Sequence, residues 1–366
     1  MSWSQQQDTA IQAVRAWLRD KSGPQVYYLA GYAGTGKTTI AKELAANVSG
    51  AVLFGAFTGK AALVLQRKGC EGASTIHSMI YCVYEDPETG LPKFKLNEDG
   101  ALRDAALVVI DECSMVGEAL GRDLLSFGCR VLVLGDPAQL PPVKDAGYFT
   151  ERTPDTMLTE VHRQARDNPI IRLSMDVREG RGLSLGTYGS SKVISRRDVN
   201  TAEVVAADQV LIGLNRTRHL YNGRLRKLLG YMDPMPLRGE RIVCLKNNKQ
   251  KGLLNGGIWK VLKRGAPHPS NVELDIAPDD AGTTKQIVSV RVNRLFFTGQ
   301  DSELTLEEKK RSDQFDFGYA LTVHKSQGSQ WDSVYLFDES GAFREDALKW
   351  LYTGITRAAD KITIVA

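Results

Sequence analysis

The 366-residue sequence is poor in cysteine, with five residues in all and none in a CxxC pair. Cys70, Cys82, Cys113, Cys129 and Cys244 are scattered and odd in number, which excludes a disulfide framework and a zinc cluster and fits a reducing compartment. No apolar run approaches the roughly 18 residues of a membrane helix. The opening MSWSQQQDTAIQAVRAWLRD is amphipathic from its first residues and lacks the charged-then-apolar order of a signal peptide. A cytoplasmic chain with no membrane partner is therefore expected. No solenoid repeat and no low-complexity tract is visible. Net charge is also small, +4 from 47 Lys and Arg against 43 Asp and Glu. Hydrophobic residues make up 42% and charged residues 25%, which excludes a disordered or fibrous chain, and the length allows about two or three domains.

What is present is an alternation of short apolar runs with helical patterns. Val26 to Ala30, Ala51 to Phe57, Leu107 to Ile110 and Val131 to Leu134 each read as a buried strand followed by turn chemistry. That rhythm predicts an α/β fold with a parallel sheet covered by helices on both faces. Between residues 84 and 103, YEDPETGLPKFKLNEDGALR breaks the rhythm with turn residues around FKL and reads as an inserted hairpin. A second α/β segment starts near Val204. It is interrupted after Pro234 by RIVCL, GIWKVL, VELDI and QIVSVRVNRLFF, which predict a small β-barrel, and it resumes at Phe315. From Glu203 to Arg264 the local net charge is +9, which points to a nucleic-acid track in a chain whose total hides it.

GYAGTGKT (31–38) fits the phosphate-loop pattern GxxxxGK[ST] and lies between the strand VYYLA and a helix beginning TIAKELAANV. In such a loop the backbone N–H groups of Gly34, Thr35, Gly36, Lys37, Thr38 and Thr39 converge on phosphate oxygens. Lys37 reaches the β- and γ-phosphates of ATP, and the Thr38 hydroxyl serves Mg2+. LVVIDECSM places Asp111 and Glu112 at the end of an apolar strand on the same sheet edge, where Asp111 can hold the Mg2+ shell and Glu112 can deprotonate the attacking water. A third strand leads into GDPAQLPPV, whose Gln139 can sense the γ-phosphate or position water.

GYAGTGKTT, FTGKAA, DECSM and GDPAQLPPV together resemble the superfamily 1 DNA helicases of the RecD-like and Dda-like 5′-to-3′ branch. The resemblance continues through LTEVHRQ, NRTRHLYNGRLR, LTVHKSQGSQWDSVYL and LYTGITRA, in the family's order and over nearly the whole chain. It implies two RecA-like P-loop lobes: the first over 1–160 with a β-hairpin pin at 84–103, the second over 161–233 and 314–366, and an SH3-like barrel over 234–313. It implies ATP and Mg2+, with Arg163 and Arg357 as γ-phosphate arginines completing the site from a second lobe. Gln7 matches the adenine-reading glutamine, with Gln6 as competitor in the QQQ run, and His162 stands where an adenine-stacking ring or a packing residue is found.

For single-stranded DNA the resemblance implies Thr58, Lys60, Thr75 and His77 on the first lobe, and Asn215, Arg218, Thr322, His324, Lys325 and Ser326 on the second. Phe94 in the hairpin is the wedge candidate at a junction of single and double strand. A monomeric helicase is implied, working beside replication or recombination proteins. Two alternatives stay open: a translocase or ATPase subunit of a recombination or repair complex without unwinding of its own, and a small-molecule kinase or GTPase. The second lacks the NKxD signature of guanine recognition.

Overall fold

The computed structural model describes residues 3–85, 92–141, 147–161, 168–279 and 287–366. The chain divides into two compact units, Met1–Arg181 with Leu348–Thr356, and Gly182–Ala347 with Arg357–Ala366. Among the described residues no helix is long and apolar enough to cross a membrane.

Helix Gln5–Arg19 opens the first unit with a reciprocal cap. The Ser4 hydroxyl accepts from Gln7 N–H at 3.3 Å, and the Gln7 side chain accepts from Ser4 N–H at 3.0 Å. Ala10, Ile11, Val14 and Trp17 recur at helical spacing and are buried. The strands that follow are β1 (Val26–Gly31), β2 (Ala51–Ala56), β3 (Ser74–Thr75), β4 (Tyr81–Glu85), β5 (Pro92–Leu96), β6 (Ala105–Asp111), β7 (Val131–Gly135) and β8 (Thr156–Leu158). Six of them form one sheet in the order β3-β2-β6-β7-β1-β8, with every pairing parallel.

Alternate residues of these strands feed two separate cores, as a pleat of period two requires. Tyr28, Ala30, Val108, Ile110, Val131 and Val133 pack with Ile76, Ile80, Leu120 and Leu124 on one face. Tyr27, Leu29, Leu107, Val109, Leu132 and Leu134 pack with Val14, Trp17, Ile40 and Leu44 on the other. Strands buried on both faces explain the unbroken apolar runs in the sequence.

β4 and β5 pair antiparallel from Tyr81↔Leu96 to Glu85↔Pro92, so the inserted element is a hairpin that starts three residues before the expected 84. Tyr81-Cys-Val-Tyr is good strand sequence, and the turn chemistry begins only at Glu85. The Tyr81 hydroxyl donates to the Asp123 carboxylate and ties the hairpin's base to helix Glu118–Leu125.

The boundary expected at 160/161 falls instead at Arg181/Gly182, and residues 348–356 group with the first unit. Side-chain contacts account for both. Arg178, at the end of helix Pro169–Arg178, lies 3.7 Å from the Tyr32 ring centroid, and Leu140 N–H donates to the buried Thr353 hydroxyl at 2.9 Å.

The second unit contributes β9 (Gly186–Tyr188), β10 (Ser191–Ile194), β11 (Gln209–Ile212), β12 (Arg241–Cys244), β13 (Ile258–Arg264), β14 (Asn271–Pro278), β15 (Val288–Asn293), β16 (Phe315–Phe317), β17 (Ala320–Thr322), β18 (Trp331–Phe337) and β19 (Ala358–Val365). β17-β11-β18-β19-β10-β9 form a sheet that is parallel except for its β9–β10 edge. β15-β14-β13-β12-β16 form a second, antiparallel sheet. A parallel bridge between Val292 and Asp313 returns its β15 edge to the chain entering β16, so this sheet curls back on itself. Its fifth strand lies beyond the expected limit of 313. LFF, read in sequence as strand, is the helical turn Leu295–Thr298, started by Asn293 Oδ1 accepting from Leu295 N–H at 3.0 Å.

A buried ion pair joins the helix Asn215–Leu228 to this second sheet. Arg226 donates from Nε to Glu240 Oε1 at 2.6 Å and from Nη2 to Oε2 at 2.8 Å, and its guanidinium carbon lies 3.9 Å from the Phe317 ring centroid. Glu240 is fully buried and also accepts from Leu237 N–H. Removing one partner strands a desolvated charge. Glu240→Ala is therefore expected to lower unfolding free energy by about 3–5 kcal/mol, and the paired Arg226→Met/Glu240→Leu change to recover most of that loss, both read by urea denaturation.

Candidate functional site

Because the first sheet is parallel, the loops after β1, β2, β3, β6 and β7 all leave from one edge. The loop after β1 turns twice through left-handed glycines, Gly34 at φ 78° and Gly36 at φ 85°. A side chain at Gly36 would also meet the Gln7 amide, which lies 2.8 Å from the position of an added Cβ. Helix Lys37–Ala45 starts immediately after Gly36, with its first N–H groups directed back into the loop. Lys37 Nζ donates to the carbonyls of Gly31 at 2.5 Å and Tyr32 at 3.0 Å, which holds the ammonium in the loop.

Thr38 Oγ1 donates to Asp111 Oδ2 at 3.2 Å, so the hydroxyl and the carboxylate expected to share a divalent ion are side by side. The other oxygen, Oδ1, accepts from Glu112 N–H at 2.9 Å. Glu112 stands at φ 53°, ψ 44°; with Arg344 it is one of two non-glycine residues at positive φ among the described residues. Such a conformation costs about 1 kcal/mol or more and concentrates at functional positions. Burial pushes the thiol of the next residue, Cys113, well up, with Asp111 and Glu112 adding to the effect, which favours the protonated form. Gln139 is buried, and among the described residues its Oε1 has no hydrogen-bond partner.

The two candidate adenine glutamines differ in what they have left to offer. Gln6 donates to Thr159 Oγ1 at 3.1 Å and to Met157 O at 3.4 Å, and accepts from the N–H groups of Thr159 and Glu160 at 2.9 Å each, which uses its whole amide. Gln7 donates once, to Thr35 O at 3.1 Å, and accepts once, from Ser4 N–H, keeping one donor and one acceptor. His162 and Arg163 lie outside the described residues. Arg357 belongs to the second unit, where it is buried and donates from Nη1 to Ser329 O at 3.3 Å.

On the expected nucleic-acid face of the first unit, Thr58 and Thr75 follow the ends of β2 and β3 and cap the next helices, accepting from Ala61 N–H and Ser78 N–H. His77 is exposed, between the rings of Phe57 and Tyr81 at centroid distances of 6.2 and 5.7 Å. Lys60 is buried, on the inner side of helix Gly59–Arg67. Phe94 sits in β5 opposite Val83; its side chain lies outside the described residues.

In the second unit three of the expected residues are buried. Arg218 has Nη1 2.5 Å from Asp316 Oδ2. Ser326 is fully buried and donates to Val323 O at 2.7 Å, and Thr322 is a buried cap accepting from Lys325 N–H. Asn215 and Lys325 are exposed. Burial lowers the pKa of the Lys325 ammonium, with the Arg218 charge acting the same way. Two residues missed in sequence also appear. Glu339 caps helix Asn215–Leu228, accepting from Gly213 and Leu214 N–H and the Thr217 hydroxyl. Tyr352, inside the quoted LYTGITRA block, reaches the phosphate loop by accepting from Ala33 N–H at 2.8 Å.

The AAA domain family model matches residues 2–198, and the chain belongs to that family. A UvrD-like helicase C-terminal domain model matches residues 317–365. The ATP-dependent RecD2 DNA helicase of Deinococcus radiodurans is 30% identical over 94% of this chain and 47% of its own length. The ATP-dependent DNA helicase Pif1 of Bdellovibrio bacteriovorus is 24% identical over 86% of this chain and 78% of its own. A Bacteroides Pif1 helicase solved with ADP-AlF3 and single-stranded DNA aligns at TM-score 0.56 and 18% identity, covering 100% of this chain and 93% of that one. In these matches the chain is similar to helicases of the RecD/Pif1 type. It spans about half the length of the RecD2 relative.

His324 is half-buried against Phe343, at a centroid distance of 5.3 Å. Desolvation holds its pKa below the ordinary 6.5, with Asp346 pulling weakly the other way. The imidazole is thus neutral at pH 7, and a depressed folded pKa means stability is present above about 6.5 and lost as pH falls toward the folded value. Urea midpoints of the wild type are expected to fall between pH 7.5 and 5, and His324→Gln to flatten that fall, leaving the part due to His219, whose pKa burial and Arg218 also depress.

Proposed function

We propose that this chain is an ATP-driven motor that moves along single-stranded DNA, 5′ to 3′, and separates strands at a junction. The observation that carries the reading is the convergence on one sheet edge of the phosphate loop, the Thr38–Asp111 pair, the left-handed Glu112 and the unpartnered amide oxygen of Gln139. One hydroxyl and one carboxylate suit Mg2+ bound with a nucleotide, since phosphate oxygens and water complete its shell. That ion would neutralise charge between the β- and γ-phosphates.

In this reading the amides of Gly34, Thr35, Gly36, Lys37, Thr38 and Thr39 cradle the phosphates, and Lys37 turns from the loop carbonyls to the β- and γ-phosphate oxygens. Thr38 and Asp111 hold the metal. Glu112 takes a proton from the water that attacks the γ-phosphate, and Gln139 orients that water. Arg163 and Arg357 stabilise the charge that develops on the transferred group. Gln7, with spare hydrogen-bonding capacity, reads the adenine edge, and His162 stacks on it.

The DNA assignment draws on the relatives, named as DNA helicases, and on the Pif1 solved with single-stranded DNA. Thr58, Lys60, Thr75 and His77 of the first unit, and Asn215, Arg218, Thr322, His324, Lys325 and Ser326 of the second, form the track, with His77, Asn215 and Lys325 exposed. The β4–β5 hairpin serves as the separating pin with Phe94 as wedge, and the curled five-stranded sheet as an SH3-like insertion. A monomer beside replication or recombination proteins fits this assignment.

Lys37→Ala is expected to lower single-stranded-DNA-stimulated ATP hydrolysis on the order of a hundredfold or more while leaving thermal unfolding unchanged. Glu112→Gln should act similarly through loss of the base. A fully active Lys37→Ala protein sinks the site assignment. Phe94→Ala is expected to keep ATP hydrolysis and to lose most strand separation on a 5′-tailed duplex. Equal unwinding by that variant removes the pin, and the absence of unwinding by the wild type on either tail leaves a translocase without strand separation.

A further inference from the structure

The chain passes between the two units at three points, 181/182, 347/348 and 356/357. A helix of the first unit abuts each of them. Pro169–Arg178 ends three residues before the first crossing, and Ala347–Ile355 fills the interval between the other two. The two helices grip adjacent residues of the phosphate loop. Arg178 stacks on Tyr32, and Tyr352 holds Ala33.

The Tyr352 contact is the more constrained. Its hydroxyl accepts from Ala33 N–H at 2.8 Å and donates to Asp136 Oδ2 at 2.7 Å, with Tyr352 only 1% exposed and Asp136 3%. The carboxylate is itself oriented, because Oδ1 accepts from Ala138 N–H at 3.0 Å. Burial and the neighbouring carboxylate push the phenol well above its ordinary pKa, so it remains a donor across the whole working range. One residue along the helix, the Thr353 hydroxyl accepts from Leu140 N–H. Gln139 therefore lies on a loop fastened on either side, at Asp136 and Leu140, to one helical segment.

Residues 348–356 are continuous at both ends with the second unit. A rearrangement of that unit must either carry this segment with it, breaking buried hydrogen bonds to the phosphate loop and the Gln139 loop, or be resisted by them. Breaking buried bonds of this kind leaves polar groups without partners, so the segment resists displacement from the two loops.

We propose that Tyr352 is a positioning residue that couples nucleotide binding to single-stranded DNA binding, by fixing Ala33 and the Gln139 loop to a segment of the first unit whose chain continues at both ends into the second. The inference rests on the motor reading above. Its measure is the factor by which a saturating oligo-dT strand tightens binding of a non-hydrolysable ATP analogue, which by linkage equals the factor by which the analogue tightens DNA binding.

With the full chain, the wild type is expected to show a factor of about 5 or more, and Tyr352→Phe a factor within about twofold of one. Asp136→Asn, which disturbs the same bridge from its other end, should shift it in the same direction and serves if Tyr352→Phe does not fold. The double variant should lose no more than the larger single change. Leu124→Val, a core truncation in the same unit that does not touch either loop, should keep the wild-type factor and so separates coupling from general destabilisation. A wild-type factor in folded Tyr352→Phe, or equal loss in Leu124→Val, overturns the proposal, as does a wild type with no coupling at all. The first two results leave the motor reading intact, whereas a wild type without coupling also counts against it; that reading fails on its own if Lys37→Ala hydrolyses ATP normally.

Discussion

Helices cover both faces of the first parallel sheet, and that constraint decides where chemistry can occur in the unit. β1, β6 and β7 are buried on either side, so a polar group within them would be stranded without water or partner. The polar residues of these segments are accordingly delayed to the strand ends. The register then aligns those ends, with Ala56 opposite Asp111 and Ala30 opposite Gly135. A slip of one residue in β6 would move Asp111 by about 3.3 Å along the sheet and turn it to the other face, away from Thr38.

Features that depend on local chemistry were legible in sequence to within a residue or two. The strand runs are visible because parallel strands buried on both sides are continuously apolar, and the phosphate loop because its left-handed positions demand glycine. The start of the hairpin was less so, since Tyr81-Cys-Val has no turn residue to mark it. Leu295–Phe297 is apolar and aromatic whether strand or helix, and only the Asn293 side chain, bonding to the backbone two residues on, decides between them. Ser326 and Arg218 show the limit most clearly. A hydroxyl or a guanidinium in a recognised block looks the same whether it meets a ligand or closes a helix turn and an ion pair.

The same limit applies to charge. The +9 segment from Glu203 to Arg264 looks like a continuous cationic stripe, yet Arg218, Arg226, Arg241, Lys251 and Arg264 are committed to Asp316, Glu240, Asp279, Asp313 and Asp233. Three of these partners lie outside the segment, at 279, 313 and 316, where a window of sequence cannot see them. The cations left exposed, Arg216, Arg224, Lys227, Arg238, Lys246, Lys260 and Lys263, are what remains to attract a polyanion. Arg218 and Arg226 fasten the inserted sheet to helix Asn215–Leu228 instead, while Arg241 and Lys251 close contacts within the sheet region itself. Arg226 does this at the cost of desolvating two charges, offset by its bidentate geometry, the Phe317 ring, the Asp233 carbonyl and the additional N–H of Leu237.

Asp111 shows how few groups are needed to set the reactive edge. One of its oxygens accepts the Thr38 hydroxyl and the other the Glu112 N–H, so a single carboxylate orients a residue on the helix after the phosphate loop and the backbone of its own neighbour. The second bond helps hold Glu112 left-handed, and Met115 N–H, donating to the Glu112 carbonyl at 3.2 Å, closes the turn beyond it. The strain is thus confined to the residue whose carboxylate must leave the strand direction. A residue in ordinary extended geometry there would continue β6 along its own axis, carrying the side chain past the sheet edge. The cost is local, and the rigid strand behind Asp111 absorbs it without altering the register that brought the two loops together.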